Sequence, residues 1–170
     1  CRPEWYENLE IFSDEARKAG KPFWAFALAT AHKPYPIPDL AQLRLQVYSD
    51  LAYGAQGIQY FTYWTPEKNP TWDFHHAPVE RSSGRRTDVY DKIKQMNAEI
   101  QALSGVFLGC EVVSVRHTGE SIPRGTVRLT ELPAGVKKLE TTGAGAVVSE
   151  LRNGDNRFVV IVNRDFKNPM

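Results

Sequence analysis

The stretch Ala52-Tyr-Gly-Ala-Gln-Gly-Ile-Gln-Tyr-Phe-Thr-Tyr-Trp64 marks the change of periodicity on which the fold turns. Before it, Leu40, Leu43, Val47 and Leu51 recur at steps of three and four, which predicts a helix from about Pro38 to Tyr53, with Gly54 just beyond its end. After the second glycine, residues 57 to 64 are dense in aromatic and β-branched side chains and predict a strand. The same helix-to-strand alternation precedes it. Trp5, Leu9, Phe12, Ala16 and Ala19 predict an amphipathic helix over 4–19, with Pro3 in its first turn and Gly20 as its cap. Residues 22–30 are continuously apolar, the pattern of a strand buried on both faces of a parallel sheet. A loop carrying Pro34, Pro36 and Pro38 joins the two units.

Beyond Trp64 a long polar loop, residues 65–86, carries Trp72, Asp73, His75 and His76. Thr87 suits the N-cap of a third helix whose apolar face is Val89, Ile93, Met96, Ile100 and Leu103, closed by Gly105. Helix, strand, helix, strand, helix is the order of βα units. From about Phe107 the pattern becomes short β-rich runs at 111–115, 126–129, 146–151 and 157–162, separated by glycine turns. That order predicts an antiparallel sandwich or barrel, with Asn153-Gly154-Asp155 turning a hairpin between Leu151 and Phe158. The predicted class is therefore α/β followed by all-β, divided into residues 1–106 and 107–170.

Composition narrows the function. The chain has 170 residues, 42% hydrophobic and 24% charged, as in a globular protein. A net charge of +1 supplies no global field for nucleic acid or an anionic membrane. No run approaches the roughly 20 apolar residues of a membrane span. Cys1 and Cys110 are too few for a disulfide framework and lack zinc-site spacing. Adjacent His75 and His76 point in different directions and form no HxH or HxxxH pair, so no metal and no other cofactor is expected. Neither half is sufficient alone. A closed (β/α)8 barrel needs about 250 residues, and both ends of the chain look cut, so a piece of a larger protein is expected.

The order of these features, with Gly20-Lys-Pro-Phe-Trp24, Leu43-Arg-Leu-Gln-Val-Tyr48, the 52–64 stretch and the Tyr90–Leu103 helix containing Asn97, resembles the C-terminal part of a (β/α)8-barrel glycoside hydrolase running into its C-terminal β-sandwich. The resemblance implies hydrolysis of O-glycosidic bonds in a carbohydrate cleft at the C-terminal rim of the barrel. It implies strands seven and eight at residues 22–30 and 57–64, with the rest of the polypeptide or a complementary chain completing the barrel, and a periplasmic or extracellular location. His32, Trp64, Thr65, Trp72 and His75 would bind the sugar, aromatic faces stacking on pyranose C–H groups and polar groups bonding hydroxyls. One departure stands out. Glycosidases work with two carboxyl groups, about 5 Å apart for retention and wider for inversion, and residues 23–32 contain none where the related hydrolases carry a nucleophilic glutamate. Glu67 is then the chain's own catalytic candidate, and the alternative is a barrel that binds carbohydrate without cleaving it.

Overall fold

The computed structural model describes residues 4–168, so Cys1, Pro3 and the last two residues lie outside it. In chain order the elements are α1 (Trp5–Ala19), β1 (Trp24–Leu28), α2 (Leu40–Ala52), β2 (Gly57–Phe61), α3 (Asp88–Ala102), the single turn α4 (Ser104–Phe107), β3 (Glu111–His117), β4 (Ala146–Asn153) and β5 (Asn156–Asn163). β1 and β2 form a two-stranded parallel sheet, and β3, β4 and β5 form an antiparallel sheet in that order. The β4–β5 hairpin turns on two residues, Gly154 at φ 60° and Asp155. Asn153 is paired with Asn156 in the ladder, so the glycine alone supplies the positive φ, at the first of the two turn positions.

Local chemistry sets the helix ends. Asp39 starts α2 with a reciprocal capping box, its side chain accepting from Gln42 N at 2.7 Å while Asp39 N donates to Gln42 Oε1 at 3.1 Å. Gly20 ends α1 in the left-handed region. Gly57 has a packing reason, because the Trp24 indole lies over it and a Cβ there would come within 2.7 Å of the ring.

Several expectations are corrected. α1 does not bury Phe12, which is 62% exposed; its inner face is Tyr6, Leu9 and Ser13. The reason is hydrogen bonding to α2: Tyr6 OH meets Ser49 Oγ at 3.2 Å, and Ser13 Oγ donates to the Tyr53 carbonyl at 2.8 Å. β1 is covered on one face only. Ala25 and Ala27 are buried, whereas Trp24 and Phe26 are 64% and 63% exposed. β2 ends at Phe61, three residues short of the predicted boundary. Residues 126–129 are not a strand; they make a single parallel bridge, Arg128 to His117. Gly105 lies inside α4 instead of closing α3, and Leu103 is exposed. Among the described residues the antiparallel sheet has three strands, and no second antiparallel sheet is present.

That sheet packs instead on the helices. One apolar cluster joins Tyr6, Leu9, Leu45, Ala52 and Tyr53 to Val115, Val147 and Val162. A second joins Ala27, Leu43, Val47, Leu51, Met96 and Phe107 to Leu151. Both clusters draw residues from either side of position 107. Ser149 Oγ donates to the Ala52 carbonyl at 2.7 Å across the same interface.

Among the described residues one buried side chain has no hydrogen-bond partner at any of its polar atoms. Asp50 is fully buried on α2 with neither carboxylate oxygen hydrogen-bonded, and burial pushes its carboxyl well above the ordinary range. A raised folded value means that its contribution to stability is complete below the usual carboxyl pKa of 3.8 and is lost as pH climbs from there toward the folded value. Asp50→Asn, which cannot ionise, is therefore expected to gain stability relative to the parent as pH rises from 4 to 8. Urea unfolding at the two pH values reads this directly, and a parallel offset at both would refute it.

Candidate functional site

The C-terminal ends of β1 and β2 lie side by side and are stitched to the 65–86 loop. Ala31 and His75 exchange two backbone hydrogen bonds of 2.9 and 3.1 Å, and Thr30 Oγ1 donates to the His75 carbonyl at 2.9 Å. Thr65 N donates to the Val79 carbonyl at 3.0 Å, and Thr65 Oγ1 accepts from Ala77 N at 3.3 Å. Asn69 shapes the loop tip, its side-chain oxygen accepting from Thr71 N and Trp72 N, both at 2.9 Å.

These contacts assemble an aromatic platform. Trp72 and Phe74 stack with ring centroids 5.7 Å apart and planes 13° apart. Residues two apart in an extended segment share a face, which is the sequence signal for this pair. His32 packs on Phe74 at 4.2 Å and on Trp72 at 5.5 Å, and Phe61 at the end of β2 closes the cluster against Phe74 at 5.5 Å. Asp73 orients the imidazole through His32 Nδ1 at 2.9 Å and also accepts from Lys33 N at 3.2 Å. That amide, ahead of His32, holds the Asp73 carboxyl below its usual range. With Nδ1 engaged, Nε2 of His32 is the nitrogen left for a ligand. Trp72 is 47% exposed, so the platform faces solvent.

Beside the platform lies a cleft of about 680 Å3 whose walls include Thr65, Lys68, Phe74, His75, His76, Glu80 and Arg81. His75 Nδ1 pairs with the Asp73 carbonyl at 2.7 Å; a carbonyl only accepts, so this nitrogen carries the proton. Glu80 is held by Ser83 Oγ at 3.0 Å and by Arg85 at 3.3 Å to each oxygen, which keeps its carboxyl below the ordinary range. Glu67 forms an ion pair with Arg81 at 2.6 Å and its side chain is 74% exposed.

Of the residues singled out from the sequence, His32 and Trp72 meet in the platform, while Thr65 and His75 line the cleft. Trp64 stands apart, its ring stacked on Tyr63 with centroids 6.5 Å apart. Phe61 and Phe74 are the site groups that the sequence did not point to, and Asp73, expected in the loop, takes the role of orienting His32. A separate groove of about 600 Å3 between α2 and β5 is walled mainly by apolar side chains such as Leu45, Tyr48, Phe107 and Val160. Its one carboxylate, Asp165, is bound within its own turn by Lys167 N and Asn168.

Among the described residues no helix is long and apolar enough to cross a membrane, and no group of three or more His, Cys, Asp or Glu side chains is placed to hold a metal ion. No protein-family model and no curated protein matches the chain.

Proposed function

We propose that this chain supplies the sugar-binding wall of a glycoside hydrolase, with the Trp72–Phe74–His32 platform as its sugar-binding surface. The observation that carries this reading is the placement of that platform, beside an open cleft, at the C-terminal ends of two parallel strands. The half-exposed Trp72 ring matches the C–H face of a pyranose, and an oriented imidazole beside it suits a ring hydroxyl. The bare apolar face of β1, with Trp24 and Phe26, is the kind of surface that further strands of a (β/α)8 barrel would cover. Hydrolysis then draws at least one of its two carboxyl groups from outside the described residues, Glu67 being the candidate within them.

The second reading, carbohydrate binding without cleavage, is favoured by the lack of a carboxylate in residues 23–32 and by the engagement of Glu67 with Arg81. Turnover of aryl glycosides and oligosaccharides, alongside calorimetric binding, distinguishes the two. The expected result is cleavage by the full gene product, with Trp72→Ala weakening sugar binding by about 1–2 kcal/mol, or roughly five- to thirtyfold in Kd. Binding without cleavage of any substrate selects the second reading, and unchanged affinity in the Trp72 variant removes the platform from the site. Glu67→Gln is expected to abolish turnover if that carboxyl reacts.

A further inference from the structure

The cleft beside the platform is lined by two cations, Lys68 and Arg81, two imidazoles and one carboxylate, Glu80. Lys68 reaches it with no carboxylate within ion-pair distance among the described residues, and Arg81 lines the same wall. Two imidazoles, His75 and His76, face each other edge to face with centroids 5.3 Å apart. His76 holds φ at 52°, a left-handed conformation that a histidine adopts at a cost and that recurs where a site dictates backbone geometry. The two nearby carboxylates are both already engaged, Glu80 by Ser83 and Arg85, and Glu67 by Arg81. Lys68, Arg81 and Arg85 thus outnumber Glu67 and Glu80 by one, and the uncompensated charge is on the cleft wall.

We propose that this cleft takes the anionic substituent, a carboxylate or sulfate, of an acidic sugar whose neighbouring ring stacks on Trp72. The proposal rests on the carbohydrate reading and names the substrate class for that same site. Lys68 supplies a charge-assisted hydrogen bond to the anion, and Arg81 exchanges its exposed partner Glu67 for the ligand. An imidazole N–H of His76 bonds a remaining oxygen, the His75 proton being already held by the Asp73 carbonyl. A neutral sugar gains only the stacking.

The test is calorimetric titration of the full gene product with oligogalacturonate and with a neutral oligosaccharide of equal length. The acidic ligand is expected to bind roughly five- to tenfold tighter at low salt, the preference shrinking near 1 M salt, where the screening length falls to about 3 Å. Lys68→Gln together with Arg81→Gln, both surface changes, should erase the preference and leave neutral affinity unchanged, while Trp72→Ala weakens both ligands. Equal affinity for the two ligands in the parent, or an equal loss for both in the double variant, overturns the acidic-sugar proposal alone. Binding of neither ligand overturns the carbohydrate reading with it.

Discussion

Leu151→Ala is expected to lower the stability of the whole chain by about 3 kcal/mol, within the 2–5 kcal/mol range for deleting a fully buried leucine side chain. Leu151 is 1% exposed on β4 and belongs to one apolar cluster with Ala27 of β1, Leu43, Val47 and Leu51 of α2, Met96 of α3 and Phe107 of α4. Losing its methyl groups leaves a cavity inside that cluster, which a dense interior closes only partly. For a chain of this length the shift in Tm is about 6–12 °C. Because the residue joins the two halves, thermal unfolding by circular dichroism is expected to stay a single transition that moves as a unit. Two transitions, with only the later moved, would show that residues 107–170 form a separately stable domain.

His117 provides the second large effect. It is fully buried on β3, with Tyr6 of α1 edge-on at 4.9 Å and Tyr53, at the end of α2, bonded to Nε2 at 2.8 Å. The Tyr53 hydroxyl donates to Glu10 Oε1 at 2.9 Å, so its oxygen accepts from His117 and the proton sits on Nε2. Nδ1 is left bare, buried and without a partner. Burial, aided by the positive charge of Arg164, pushes the imidazole pKa down to about 3. Histidine in the unfolded chain titrates near 6.5. The stability that comes from keeping His117 neutral is therefore complete above pH 6.5 and is lost as pH falls from there toward 3. Between pH 7 and pH 5 the loss is about 2 kcal/mol. His117→Gln retains an amide donor for Tyr53 and has no proton to gain. Its urea unfolding free energy is expected to fall by about 2 kcal/mol less than the parent's over that interval. Asp50 is present in both proteins, so its opposite pH dependence cancels. Equal falls in the two proteins would exclude a buried neutral His117.

The helices and strands whose determinants are local were legible. The α2 period, the left-handed Gly20 and the Asn-Gly-Asp hairpin each depend on side chains within a few residues. The same reasoning misjudged α1, because Phe12 and Ser13 are adjacent and apolarity alone favoured Phe12. A carbonyl acceptor on Tyr53, 40 positions away, reversed the choice. Residues 126–129 have strand-like composition but pair only at one bridge, since a strand exists by its partner and not by its propensity.

The site divides in the same way. Trp72, His32, Thr65 and His75 were identifiable as polar or aromatic groups beside strand ends, and the 72, 74 alternation was present to be read. The His32–Asp73 bond across 41 positions, the engagement of Glu67 by Arg81 and the burial of His117 against Tyr6 and Tyr53 were not. By itself, then, the sequence determined the order of the elements apart from the 126–129 run and the α4 turn, the ends of α1 and α2, the hairpin, and which residue types stand near the strand ends. The tertiary structure decided which faces are covered and which charges are paired. Propensity and capping act over one or two turns of chain, whereas burial and hydrogen bonding between distant segments exist only after those segments have been brought together.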